Sequence, residues 1–276
     1  MLVIKLGGSA GINTESFLDD LATMQEPLVL VHGANAELDA LSRRLGLEPR
    51  LVTSSDGQVS RFTDPETMDL FLMVYAGRVN KRLVEGLAKR GRRAIGLTGL
   101  DDSLVVGRRK DAIRVVENGK AKILRGDYAG SIESVNTRLI SALLDQGTLP
   151  VLCPPAVSRE GDAINVDGDK MAMEVAVALQ AGKLLIFSNT AGLLRDAGDS
   201  ASLIEFASLD DLDALLASAQ GRMKKKVLSC ANALKRGVGE AILGDGRIEQ
   251  PIRRALAGAG THITTAARIA PAGVLP

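Results

Sequence analysis

Six short apolar, β-rich runs, at residues 2–6, 28–32, 93–97, 149–153, 184–188 and 240–243, alternate along this chain with helical patterns near 13–25, 35–45, 64–90, 134–146, 170–181 and 222–236. This alternation constrains the fold more than any other feature. Strands separated by helix-length segments return in parallel, and the helices that carry them back cover both faces of the sheet. The expected fold is an α/β, three-layer αβα sandwich around a mainly parallel sheet. At 276 residues, 46% of them hydrophobic, the chain can build one large domain or two lobes sharing that sheet.

The rhythm breaks at residues 103–125. There the runs Leu104-Val105-Val106, Ile113-Arg114-Val115-Val116 and Ala121-Lys122-Ile123-Leu124 surround Glu117-Asn118-Gly119-Lys120. Asn-Gly between β-rich runs predicts a hairpin, in the N-terminal half. A second antiparallel pair is expected at 157–159 and 163–165. The helix from Asp64 has a well-specified start, with an aspartate cap, Pro65 in first position and Glu66 in the first turn. It carries Met68, Leu70, Phe71, Leu72, Val74 and Tyr75, more apolar residues than one core-facing stripe requires. Burial on two sides, or a dimer contact, accounts for the excess. Residues 263–276, rich in Ala, Pro and Gly, are expected to form a disordered tail.

A net charge of +1 supplies no global field for nucleic acid or membrane, so a charged partner must be recognised locally. With five Phe, two Tyr and no Trp, base-stacking platforms are not expected. Cys153 and Cys230 have no CxxC spacing and read as reduced core thiols of a cytoplasmic protein, without zinc. The start of the chain does not read as a signal peptide, and no run approaches the roughly 18 apolar residues of a membrane span.

Four segments fall where strands end or helices begin, the positions at which open α/β sheets hold ligands. In Lys5-Leu6-Gly7-Gly8 a strand delivers one cation into a turn without side chains, where backbone N–H groups can approach the same anion. A lysine snorkelling to solvent before an ordinary turn would give the same letters. In His32-Gly33-Ala34-Asn35 a glycine turn opens a helix, whose free N–H groups suit phosphate or carboxylate. His32 invites a general-base reading, although a lone histidine at a strand end is more often structural. Asn165-Val166-Asp167-Gly168-Asp169-Lys170 places two acids before a long helix, which an ordinary cap also explains. Gly221-Arg222-Met223-Lys224-Lys225-Lys226-Val227 opens a helix with cations that oppose its dipole, a locally unfavourable choice of the kind that function imposes.

Taken together, KLGG at 5–8, HGA at 32–34, RFTD at 61–64, INVDGD at 164–169, SNTAGLL at 188–194 and GRMKKKV at 221–227 resemble the amino acid kinase family. The resemblance spans residues 1–262 and is strongest to its acetylglutamate kinase branch. Within that branch the chain is similar to the sub-branch acting on 2-aminoadipate linked to an amino-group carrier protein. Segments such as Gly8-Ser9-Ala10-Gly11, Gln58-Val59-Ser60-Arg61, Gly107-Arg108-Arg109-Lys110 and Arg125-Gly126-Asp127-Tyr128 carry that likeness.

The resemblance implies transfer of the γ-phosphoryl group of ATP to a side-chain carboxylate, chemistry that rests on alignment and charge neutralisation. It implies Lys5 and Lys226 beside the moving group, Asp169 holding both ammonium groups, and the backbone at Gly7, Gly8 and Gly33 receiving phosphate oxygens. It further implies acceptor contacts at Gly33, Ala34, Arg61 and Asn165, and a nucleotide site at Ser188, Asn189, Gly192 and Leu193. Residues 1–160 would bind the acceptor and 161–262 the nucleotide, with Mg2+ carried on the nucleotide phosphates and no protein-bound metal. A homodimer is implied as well. Ala34 stands where the family usually has a second glycine, and Asp167 where it commonly has asparagine.

Residues 107–127 add an argument for a protein partner. Seven cations, among them Arg108, Arg109 and Lys110, face three acids there on a nearly neutral chain. Such a surplus suits docking of an acidic carrier protein; charge that protects a hairpin edge from aggregation would look similar. The rival readings are an acetylglutamate kinase of arginine biosynthesis, and a nucleotide-binding protein that has lost catalysis.

Overall fold

The computed structural model describes residues 1–53, 59–110, 112–117 and 120–265; Gln58, Asp111, the turn expected at Asn118-Gly119 and the remainder, from 266, of the expected disordered tail lie outside them. The chain opens with β1 (Leu2–Leu6), α1 (Thr14–Thr23), β2 (Leu28–His32) and α2 (Asn35–Arg44), followed by the short strands β3 (Leu51–Thr53) and β4 (Val59–Arg61). Next come α3 (Pro65–Leu72), α4 (Asn80–Lys89), β5 (Ala94–Gly99), β6 (Val105–Arg109), β7 (Ala112–Glu117), β8 (Lys120–Arg125) and β9 (Gly130–Val135). Then follow α5 (Arg138–Asp145), β10 (Leu149–Ser158), β11 (Ala163–Ile164), α6 (Gly168–Ala178), β12 (Lys183–Ser188) and β13 (Phe206–Ser208). The last elements are α7 (Leu212–Ser218), α8 (Gly221–Lys235), β14 (Glu240–Asp245), α9 (Pro251–Leu256) and β15 (Thr261–Thr264).

Eleven strands form one sheet in the order β13-β15-β14-β12-β1-β2-β10-β6-β9, with β5 and β11 also paired to β10. Its centre, from β14 through β12, β1 and β2 to β10, is parallel throughout. The antiparallel pairs β14–β15, β10–β11 and β6–β9 lie to either side. Side chains alternate across a strand, so β1 sends Val3 into the core under α6 and α8 and Ile4 into the core under α1, α4 and α9. The layered, mainly parallel architecture expected from the sequence is the one observed. The β7–β8 hairpin forms a separate two-stranded ladder from Ala112↔Arg125 to Glu117↔Lys120. It packs Val115 against Val52 and Phe62, beside the β3–β4 pair.

Three expectations need correction. The helix expected over 64–90 is three pieces, because a π-helical turn, Met73–Val79, separates α3 from α4. The helix expected from 134 begins at Arg138, since Ser134 and Val135 are taken up in pairing with Val106 and Val105. Asn136 then accepts from Arg138 N at 3.2 Å as the chain turns helical. Residues 263 and 264, assigned to the tail, belong to β15 and pair with Ala241 and Glu240.

Candidate active site

Three elements meet at one buried carboxylate. Lys5 sits near the C-terminal end of β1 at 6% exposure, Asp169 in the first turn of α6 at 8%, and Lys226 in α8 at 9%. Lys226 Nζ donates to Asp169 Oδ2 at 2.8 Å. Lys5 Nζ lies 2.8 Å from Oδ1 as an ion pair, off the alignment of a hydrogen bond. Burial alone would raise the Asp169 carboxyl pKa; the ammonium groups of Lys5 and Lys226 outweigh it and hold that group well below the usual carboxylate range. The Lys226 ammonium is shifted the other way: burial and the Lys5 charge lower it despite Asp169.

Local sequence explains the placement. Asp167, not Asp169, caps α6, its Oδ1 accepting from Asp169 N at 2.9 Å and Lys170 N at 3.0 Å. Asp169 is thereby left free to face the lysines, and the cap explanation for the acidic pair accounts for only one of its members. On α8, successive residues project about 100° apart, so of the three consecutive lysines Lys226 alone is buried.

The two glycine turns are in backbone contact. A Cβ on Gly8 would stand 2.3 Å from Ala34 N and 2.5 Å from Gly33 C, so only glycine fits. Ala36 N donates to Gly8 O at 2.7 Å and locks the turns together. The amides of Gly7 and Gly33, expected to receive phosphate, instead donate to Phe187 O and Leu6 O, both at 2.9 Å, extending the strand ladders. Those of Gly8, Ala34 and Asn35 stand at the turn and at the open first turn of α2, where helical bonding provides no acceptor. Ala34 is buried and its φ is negative, so no left-handed backbone conformation calls for glycine there. His32 is fully buried, and desolvation lowers its pKa to about 4. Its burial and its contact with Asn80 fit a structural role.

The acceptor-side residues also converge. Asn165 Nδ2 donates to Thr63 Oγ1 at 3.0 Å, and Arg61, two residues earlier, forms an ion pair with Asp39 of α2. Thr63, fully buried, and Asp39 had not been singled out, although Thr63 lies inside the RFTD motif. On the other side, Ser188 ends β12 and bonds to Thr190 Oγ1 at 3.0 Å, while Asn189 is exposed beside Ala10 O. Gly192 and Leu193 turn inward: Leu193 N donates to Thr261 Oγ1 at 2.8 Å, and a Cβ on Gly192 would stand 2.7 Å from the same oxygen. They anchor the loop from beneath.

The docking cluster needs the larger revision. Arg108 and Arg109 are on β6 of the main sheet, not in the hairpin. Arg108 pairs with Glu133 at 3.1 Å; Arg109 pairs with Asp162, stacks 3.6 Å over the Tyr128 ring and donates to Asp127 O. Asp127, counted among the opposing acids, is buried and accepts from Thr63 N and Ala129 N. Exposed cations on this side include Arg108 and Lys110 and, on the hairpin strands, Arg114, Lys122 and Arg125.

A groove of about 630 Å³ runs behind the glycine turns between α1 and α4, touching Gly7, Gly8, Gly33 and Ala34. Lys5, Asp169 and Lys226 do not line it. Among the described residues no group of three His, Cys, Asp or Glu side chains is arranged to hold a metal ion.

Two cations share one buried carboxylate close to the two glycine turns, an arrangement suited to stabilising an anionic group in transfer. Residues 1–245 match the amino acid kinase family. Over 267 residues the chain is 51% identical to a LysW-aminoadipate kinase of Deinococcus radiodurans, spanning 96% of this chain and 91% of that protein. A LysW-aminoadipate kinase of Thermus thermophilus is 49% identical over 268 residues, 95% and 100% of the two chains. The chain belongs to the amino acid kinase family. The sub-branch resemblance drawn from the motifs is borne out by the same relatives. Among solved structures, N-acetylglutamate synthase from Neisseria gonorrhoeae, complexed with coenzyme A and N-acetyl-glutamate, superposes with a TM-score of 0.77 at 26% identity. The match covers 96% of this kinase and 59% of the synthase chain.

Proposed function

We propose that this kinase transfers the γ-phosphoryl group of ATP to the side-chain carboxylate of 2-aminoadipate carried on an acidic amino-group carrier protein. A carboxylate oxygen bonds to the γ-phosphorus, the bond to the β–γ bridging oxygen breaks, and an acyl phosphate and ADP result. The observation that carries this reading is the Lys5–Asp169–Lys226 centre. A carboxylate acceptor has a pKa near 4.3 and is already ionised at neutral pH, so no base is needed. Asp169 is held by two lysines, and His32 is buried with its ring nitrogens facing Asn80 and Gly33 O. What the reaction needs is cations to offset charge on the transferred oxygens, and the site supplies two.

Residues 1–160 would hold the acceptor through Arg61 and Thr63, joined by Asn165 from the second half, and residues 161–262 the nucleotide, with Ser188 and Asn189 at its edge. The amides of Gly8, Ala34 and Asn35 would receive phosphate oxygens. Mg2+ would accompany the nucleotide phosphates, because Asp169 already carries two ammonium groups and is poorly suited to a third cation. The carrier would dock on the hairpin side, toward Lys110, Arg114 and Arg125. Met73, 63% exposed on the π-helical turn, favours a homodimer through that face, and two buried free thiols suit the cytoplasm.

Trapping the acyl phosphate as a hydroxamate, with carrier-linked aminoadipate and free acetylglutamate compared side by side, tests the assignment. A higher kcat/KM for the acetylated amino acid would reassign the enzyme to that substrate. No hydroxamate from either would remove the kinase reading.

A further inference from the structure

The π-helical turn Met73–Val79 closes with Asn80 N bonding to Tyr75 O, one residue wider than an α-helical bond. Extra residues of this kind recur at functional sites because they re-aim side chains within a continuous helix. Here the turn directs two buried polar side chains, Tyr75 and Asn80, at Asn35 and His32, the residues on either side of the Gly33-Ala34 step between β2 and α2. Tyr75 donates its hydroxyl to Asn35 Oδ1 at 2.8 Å, and its ring stacks on Phe71 with centroids 4.0 Å apart. Asn35 opens α2, whose N-cap, Ala34, has no side chain able to cap. The hydroxyl of Tyr75 therefore holds this helix start through the Asn35 side chain and also faces the Ala34 backbone amide.

Asn80 reaches the other end of the turn. Its Nδ2 lies 2.9 Å from Val151 O and 3.1 Å from His32 Nε2, and its Oδ1 is 3.2 Å from Lys81 Nζ. A carbonyl only accepts and an ammonium only donates, so these two neighbours fix the orientation of the amide. The second amide hydrogen then goes to His32 Nε2, which must accept. In a neutral imidazole that places the proton on Nδ1, 3.3 Å from Gly33 O. A directed chain thus runs from Lys81 through Asn80 and His32 to the backbone of the glycine turn. Its closeness is enforced at Gly96, where a Cβ would stand 1.7 Å from Asn80 Oδ1.

We propose that Tyr75 and Asn80 are positioning residues for phosphoryl transfer, holding the 33–35 turn through Asn35 and His32 so that the start of α2 keeps its place beside the transferred group. The inference rests on the phosphoryl-transfer reading but not on the identity of the acceptor, and it explains why a histidine at the active-site strand end is buried and neutral.

Tyr75→Phe is the first test, because exposed Asn35 can take a water in place of the lost hydroxyl and the fold is kept. Binding of ADP with Mg2+ and aluminium fluoride, a mimic of the transferred group in flight, is compared with binding of ADP and Mg2+ alone. Affinity for the mimic should fall about fivefold to tenfold, as for one lost hydrogen bond, with ADP affinity unchanged and kcat falling in step with the mimic. Equal losses for ADP and mimic, or none for either, would overturn the proposal. If the parent bound the mimic no better than ADP, the phosphoryl-transfer reading would fall and this inference with it.

Asn80→Asp gives a second readout that a merely structural role would not move. A carboxylate at this position accepts, so the His32 proton moves to Nε2 and a lone pair on Nδ1 faces Gly33 O. The charged groups nearest the ring, Lys5 and Lys81, both disfavour a second proton, and the new carboxylate offsets them. Acidification should then restore the Nδ1 proton, so that kcat of this variant rises as pH falls. A profile of parental shape, with loss only of stability, would overturn the role of Asn80. If this variant does not fold, the Tyr75→Phe measurement decides.

Discussion

Replacing Asp169 with asparagine removes the one negative charge between two buried ammonium groups while keeping the side chain's shape. At the separations observed, 2.8 Å to each lysine, removal of one partner from a buried ion pair typically costs about 3–5 kcal/mol. The protein has a cheaper response than unfolding. Releasing one lysine proton costs about 1.4 kcal/mol per pH unit below that lysine's own pKa, roughly 4 kcal/mol from 10.4 down to 7.5. Lys226, whose ammonium is already lowered by burial and by Lys5, should release it first. Loss of one positioned charge should reduce kcat by about 10²–10³. The melting temperature should fall roughly 6–12 °C, from about 3 kcal/mol at 2–4 °C each. The pH dependences should then oppose each other. In the variant the folded state binds fewer protons than the unfolded state between neutrality and about pH 10, so stability recovers as pH rises. The rate, which needs the ammonium, falls over the same range. Hydroxamate-trapped initial rates and thermal melts between pH 6 and 9 measure both slopes. A kcat within tenfold of the parent, or rate and melting temperature moving in the same direction with pH, would refute the argument.

Other outcomes follow from the same geometry. Lys226→Ala should lower kcat by about 10²–10⁴ with little change in KM for ATP, whereas Lys224→Ala and Lys225→Ala should each cost less than tenfold; steady-state kinetics of the three variants separate them. Gly8→Ala should part the two glycine turns, since its Cβ would meet Ala34 N at 2.3 Å, with a stability loss of about 1–3 kcal/mol by denaturant titration and a larger proportional loss of kcat. In the parent, the stability contributed by the lowered pKa of Asp169 is present above about pH 4 and lost as pH falls below it; acid titration of parent and Asp169→Asn should show the parent losing more over that range. Charge reversal at Lys110, Arg114 and Arg125 should raise KM for the carrier-linked acceptor and flatten its salt dependence, leaving KM for ATP unchanged.

The parts of this molecule legible in its sequence are those where one local signal had one structural meaning. Continuous apolar runs gave β1, β2 and β12 because a strand buried on both faces tolerates little else. Asp64-Pro65 fixed the start of α3, and its Oδ1 accepts from Thr67 N at 2.8 Å. The cations opening α8 were legible as a locally unfavourable choice and Lys5 as a cation delivered into a glycine turn, whereas the choice of Lys226 and the role of Asp169 came from the family resemblance. What stayed hidden depended on three-dimensional accounting. Whether an amide at a glycine turn is free depends on the neighbouring strand, and Phe187 O and Leu6 O take up Gly7 and Gly33. The π-helical turn has the composition of an ordinary helix, and its extra residue is justified only by what Tyr75 and Asn80 reach. The cationic cluster at 108–110 misled for a related reason. Charge counted along the chain does not reveal which guanidinium is committed inward, and Arg109 is committed to Tyr128 and Asp162. That commitment bears on docking as well, because the backbone of Tyr128 bonds to both Thr63 and Asn165. The base of the hairpin is thus tied to the acceptor residues, and a partner bound on the hairpin would press on the same hydrogen bonds that hold Thr63 and Asn165 in place.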